Sequence, residues 1–87
     1  MQLCIIIEQY FPKIEEVFGT DFLKKFRTSK YSDLHMYHWT LGLWIRNTLL
    51  EQEQSLKQAL ISHKITDRDD MSSLILRLFY LYEQQRP

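Results

Sequence analysis

The sequence predicts an all-α fold: a small bundle of four to five helices packed around a central buried helix at about residues 33–49. Three observations carry this expectation. Apolar residues recur at spacings of three and four along residues 2–18, 33–49 and 71–82, the period of a helix with one face turned inward. Two glycines and two prolines in 87 residues are too few for the turns of an all-β domain. No useful length alternates apolar and polar. Ile5-Ile6-Ile7 would suit the start of a strand, but the longer helical period around it outweighs that. A chain of this length, 1–87, makes one domain with a single core.

Residues 2–18 form an amphipathic helix with Leu3, Ile6, Ile7, Tyr10, Ile14 and Val17 on one stripe, widened by Phe11 and Phe18. Ile5 falls on the polar back. Pro12 lacks an N–H, so it either kinks this helix or opens a second one from its first turn. Gly19 is placed to stop it. Thr20 or Asp21 caps a short helix to about Arg27, with Phe22, Leu23 and Phe26 inward. Residues 28–32 are polar, carry no period and read as a mobile loop. Ser32 or Asp33 then caps the central helix. Its apolar residues (Met36, Tyr37, Trp39, Leu41, Leu43, Trp44, Ile45 and Leu49) fall nearly all round the wheel, as in a helix surrounded by others. Gly42 inside it costs about 1 kcal/mol relative to alanine, an expense that close approach of a backbone or a ring would offset. Residues 51–55 connect to a short helix carrying Leu56, Ala59, Leu60 and Ile61 and ending near His63-Lys64. Asp67, Asp69 and Asp70 sit where a last helix, running to about Gln84, has unpaired N–H groups. Met71, Leu74, Ile75, Leu78 and Tyr82 make its inward stripe, flanked by Phe79 and Leu81, and Leu76 and Tyr80 fall on the opposite side.

Eleven basic residues balance eleven acidic ones, so long-range steering toward nucleic acid is not expected. Lys24, Lys25, Arg27 and Lys30 make a local basic run, more simply a solvated face than a set of phosphate contacts. A single cysteine, Cys4, excludes an internal disulfide and a cysteine-rich zinc site and fits a reducing cytoplasm. Placed early in an apolar helix with no basic neighbour, it reads as a small buried hydrophobe. Residues 3–7 are too short an apolar run for a signal peptide or a membrane span.

Arg46 is the residue that most needs a partner. A guanidinium on a mostly buried helix must be neutralised, and the acids at 67, 69 and 70 are the supply. The expected polar cluster comprises Arg46, Asn47, Asp69, Asp70 and Ser72, with His35 and His38 at its edge. Its simplest role is to lock the central helix to the start of the last; the functional alternative makes Arg46 the floor of an anion or partner pocket. His35 and His38 are one turn apart, but a metal would need Asp33 or His63 as well, and no metal or cofactor is expected. No G-x-S-x-G, phosphate-cradling glycine loop or H-E-x-x-H occurs. Ile5, Leu76 and Tyr80, apolar but off their core stripes, are the candidate partner surface.

The run His38-Trp39-Thr40-Leu41-Gly42-Leu43-Trp44-Ile45-Arg46-Asn47 resembles the H-x-x-x-G-x-W-I-R-N signature of a bacterial domain family of unknown function. Its second signature, D-D-x-S-x-x-I, is matched by Asp69-Asp70-Met71-Ser72-Ser73-Leu74-Ile75. The resemblance spans about residues 34–82. It implies a small helical domain from bacteria or their mobile elements, and no activity. Where that family often carries a further tryptophan or glycine, this chain has Thr48-Leu49-Leu50-Glu51.

The expected function is a non-enzymatic protein-binding module, of the kind used as accessory, antitoxin or immunity proteins by bacteria or phage, acting on another protein or on a second copy of itself. One alternative is a nucleic-acid-binding regulatory module that uses the 24–30 basic run. The other is a small enzyme with Arg46 and Asp69 or Asp70 in a cleft. Neither a membrane nor a small-molecule substrate is indicated.

Overall fold

The computed structural model describes residues 2–85; Met1, Arg86 and Pro87, part of the 1–87 span expected to form one domain, lie outside the described residues. The fold is all-α, with no strand among the described residues. Helix α1 (Leu3–Glu8) is short, and α2 (Phe11–Thr28) follows with Pro12 in its first turn, where a missing N–H costs nothing. Gly19 breaks α2 into two arms at φ 79°, ψ 173°, a region open in practice only to glycine. The first arm buries Phe11 and Ile14 and packs Phe18 against Phe22 and Trp44. Val17, expected on the inward stripe, is exposed, because Phe18 takes the inward position one residue on.

The central segment is continuous from Tyr31 but is not one α-helix. Tyr31–Tyr37 is a 3-10 helix, His38–Gly42 and Ile45–Leu49 are π-helical turns, and α3 (Leu50–Gln52) completes it. No side chain caps its start: the N-cap is Lys30 rather than Ser32 or Asp33. The winding follows the spacing of the buried residues. Leu34 and Tyr37 are three apart; Tyr37, Leu41, Ile45 and Leu49 are each four apart. At about 100° per residue an α-helix overshoots by about 40° in four residues, or about 120° over three such steps. The wider π turn absorbs that overshoot and keeps the row facing the core.

This segment is also not buried all round, as its composition suggested. Met36 and Trp39 are 64% and 72% exposed, and Leu43 is 39% exposed. One side lies against α5 (Arg68–Gln84) and the other faces solvent. After a break at Glu53 (φ −108°, ψ 79°), α4 (Gln54–Ser62) buries Leu56 and Leu60 and packs on α1. It ends in a Schellman motif: Lys64 takes φ 66°, its N–H donates to the Ile61 carbonyl, and the Ile65 N–H donates to the Leu60 carbonyl.

Helix α5 is the axis of the molecule, in contact with α1, α2 and the central segment. Asp67 caps it by accepting from the Asp70 N–H at 3.3 Å. Because neighbours cover α5 on more than one side, Leu76 and Tyr80 are buried at 6% and 7% exposure and are not the exposed patch expected of them, although Leu76 reaches the wall of a surface hollow. Tyr80 stacks edge-on against Phe26, and its hydroxyl donates to the Ser29 carbonyl at 2.6 Å. The solvent side of α5 instead carries Arg77, Leu81 and Gln84, so Leu81 is not a core residue. Cys4 is likewise exposed, since α1 turns only Ile7 fully inward. The expected 28–32 loop contracts to Ser29-Lys30 and is anchored: Ser29 Oγ lies 2.6 Å from the Tyr37 hydroxyl, and Gln84 donates to the Arg27 carbonyl at 2.5 Å.

Candidate functional site

Three polar or exposed groupings stand out. The first surrounds Arg46, which is 8% exposed. Its Nη1 donates to Ser72 Oγ at 3.2 Å and faces His38 Nδ1 at 3.5 Å. An arginine N–H can only donate, so His38 accepts there. Arg46 Nε stands 3.5 Å from Asp69 Oδ1. Ser72 passes its own hydrogen to the Asp69 carbonyl at 3.1 Å, so it is satisfied as donor and acceptor. Arg46, His38, Asp69 and Ser72 are thus brought together, joining the central segment to the first turns of α5. Asn47 is exposed, Asp70 serves the Asp67 cap through its backbone, and His35 bonds the Ser32 carbonyl at 3.0 Å instead. Among the described residues no three His, Cys, Asp or Glu side chains lie together as a metal-ligand group.

Gly42 lies beneath this cluster. A Cβ there would stand 3.5 Å from the Tyr37 carbonyl oxygen, 3.6 Å from Arg46 Nη1 and 3.9 Å from His38 Nδ1. The close approach expected at Gly42 is therefore ordinary contact, made by the guanidinium as it reaches back over the glycine toward His38.

The second grouping was not anticipated. Arg27, assigned to the basic run, donates through Nε to Glu83 Oε1 at 2.7 Å, with its Nη2 also at 2.7 Å. The Glu83 side chain is fully buried while Arg27 keeps 35% of its side-chain surface. The two charges are 56 residues apart, and nothing local in the sequence marks them as partners. Lys24, Lys25 and Lys30 are exposed and enter no ion pair among the described residues, so the run presents three open lysines rather than four cations.

The third grouping is the exposed face of the central segment. Met36, Trp39 and Leu43, at i, i+3 and i+7, form an apolar ridge. Beside it, toward α5, is a hollow of about 560 Å³ lined by Leu34, His35, His38, Trp39, Leu76 and Arg77 among others. On the side toward α2 is a smaller one of about 260 Å³, lined by Phe22, Lys25, Met36, Tyr37 and Thr40. A tryptophan this exposed, on the wall of the larger hollow and on a π-helical turn, is unusual for a residue whose only task is packing. The four-residue spacing of Tyr37, Leu41 and Ile45 was the available signal, because it assigns the inward side and leaves Trp39 and Leu43 outward. Ile5 is exposed elsewhere on the surface, on α1.

The described residues contain no helix long and apolar enough to cross a membrane. Neither the curated proteins nor the solved structures give a match. A family model described as "Domain of unknown function (DUF6794)" matches residues 5–82. That match takes in the second part of α1 and all of α2 as well as the 34–82 stretch over which the resemblance was expected. The chain therefore belongs to this family, DUF6794.

Proposed function

We propose that this chain is a non-enzymatic protein-binding module whose docking surface is the Met36–Trp39–Leu43 ridge and its flanking hollows. The observation that carries the reading is Trp39, 72% exposed on the wall of the larger hollow, with Met36 of the same ridge bordering the smaller one. Tryptophan is the residue most enriched among those that dominate binding energy, and it does so when it fills or borders a pocket. A contiguous apolar ridge with polar surroundings is the usual mark of an interaction site. The burial of Arg46 and its use as a tie between elements support this reading over an acid–base enzyme. The loss of Arg27 to Glu83 supports it over a nucleic-acid module built on residues 24–30. A cytoplasmic accessory protein of a bacterial toxin–antitoxin, immunity or phage-conflict system is the concrete form we put forward.

The test is affinity capture from the native host, followed by reconstitution with the purified partner. Trp39→Ser changes an exposed side chain and leaves stability within about 0.5 kcal/mol. It is expected to weaken the reconstituted complex about thirtyfold, a hot-spot loss of about 2 kcal/mol. Val17→Ser, also exposed, at 51%, but remote from the ridge in sequence, is expected to bind as the parent does. Unchanged binding by Trp39→Ser overturns the assignment of the surface.

A further inference from the structure

The charge around the ridge is not that of the chain as a whole. Basic and acidic residues are equal in number over the sequence, yet among the described residues the formal charges lining the two hollows are cationic. Arg77 of α5 lines the larger and Lys25 of α2 the smaller, with His35 and His38 adding ring nitrogens beside Arg77; no carboxylate lines either. Arg77 Nε donates to the Ser73 carbonyl of its own helix at 3.3 Å. That bond leaves its terminal amino groups available at the hollow among the described residues. Next to it an adjoining depression, about 230 Å³, is bordered by Arg77, Lys64 and Asp70. Asp33, on the central segment, lines none of the three, and Asp69 is engaged by Arg46.

Resting on the docking reading above, we infer that this surface takes an acidic amphipathic segment of a partner protein. Its large apolar side chains would straddle Trp39 and enter the two hollows, while its carboxylates meet Arg77 on one flank and Lys25 on the other. The ridge spacing suits an occupant that presents apolar anchors at i, i+3 or i+4, and i+7. A second copy of this chain fits less well, because self-pairing through this face would set cation against cation.

The test titrates the full-length chain against three short helical peptides of identical apolar pattern whose flanking positions are glutamate, glutamine or lysine, and against a single-stranded DNA oligonucleotide. The glutamate peptide is expected to bind at least about tenfold more tightly than the glutamine one, with the lysine peptide weakest, and added salt should narrow the gap. The double variant Lys25→Gln, Arg77→Gln should abolish the preference, and Trp39→Ser should weaken all three peptides. Equal binding of the glutamate and glutamine peptides, still lost with Trp39→Ser, overturns the acidic partner and leaves the docking surface standing. Peptide binding indifferent to Trp39→Ser overturns both. Failure of every peptide to bind, tighter binding of the oligonucleotide through Lys25 and Arg77, or self-association abolished by Trp39→Ser would each overturn the inference, the last two in favour of nucleic acid and of a second copy.

Discussion

The same substitution, arginine to leucine, is expected to have very different consequences at positions 27 and 46, because the acids left behind differ. Arg27→Leu strands the Glu83 carboxylate, whose side chain has no exposed surface and whose Oε2 has no hydrogen-bond partner among the described residues. Breaking a buried pair in this way costs about 3–5 kcal/mol when both members are inside. Arg27 retains 35% of its side-chain surface, so the lower end, about 3 kcal/mol, is appropriate. Arg46→Leu strands nothing comparable. Asp69 is 69% exposed at its side chain and rehydrates, and Ser72 still donates to the Asp69 carbonyl. The lost charged hydrogen bond to Ser72 is worth about 1.5–3 kcal/mol, and the buried leucine returns a good part of it, for a net loss of about 1 kcal/mol. In a domain of this size each kcal/mol moves the thermal midpoint by about 4–8 °C, so the two variants should be separated by more than 8 °C. Urea denaturation with an unchanged m-value should rank them the same way. The double variant Arg27→Leu, Glu83→Met should recover most of the Arg27→Leu loss, since an apolar pair of similar volume replaces the ion pair. The reasoning fails if Arg46→Leu is the more damaging variant, or if adding Glu83→Met makes Arg27→Leu worse.

Other substitutions test the backbone and the reassigned face of α5 by the same denaturation assays. Gly19→Ala should cost about 2 kcal/mol, from its φ of 79° alone, as no atom lies within 4 Å of a Cβ placed there. Gly42→Ala should instead stabilise by about 0.5–1 kcal/mol, because its new methyl meets only ordinary contacts and the helix gains propensity. Leu76→Ala should destabilise by about 2–3 kcal/mol, as expected of a core residue rather than an exposed docking residue. Tyr80→Phe should cost about 1 kcal/mol through the lost bond to the Ser29 carbonyl.

What the sequence made legible was governed by local rules. Pro12 and Gly19 punctuate the first half as their stereochemistry requires, Asp67 caps α5 through its own side chain, and Asp69, one of the three acids offered as partners, stands 3.5 Å from Arg46. Each of these can be argued from a few neighbouring residues. Leu76 and Tyr80 were misplaced for the opposite reason. A stripe defined by Met71, Leu74, Ile75, Leu78 and Tyr82 locates one contact side of α5 but does not reveal that α2 and the central segment together cover another, on which Leu76, Phe79 and Tyr80 are buried. The Arg27–Glu83 pair is non-local in the same sense. The exposure of Trp39 departs from the expectation because an apolar wheel is not evidence of burial, and the spacing of Tyr37, Leu41, Ile45 and Leu49 implies a different winding.

That winding ties the structural cluster to the docking ridge. Residues 37–49 advance in steps of four, and the π turns make each step close to a full revolution, so rows four apart run nearly parallel to the axis. Tyr37, Leu41, Ile45 and Leu49 form the inward row. His38, Gly42 and Arg46 form the next, and their alignment allows the guanidinium to pass over the bare glycine and face the histidine. Trp39, Leu43 and Asn47 form the outward row, which places two large apolar side chains in line along the surface. Wound at 3.6 residues per turn, the same sequence would skew all three rows together, loosening the reach of Arg46 to His38 and the alignment of the ridge at once. The lock and the exposed face are thus two readings of one four-residue register, and that register is held by the apolar row that neither of them contains.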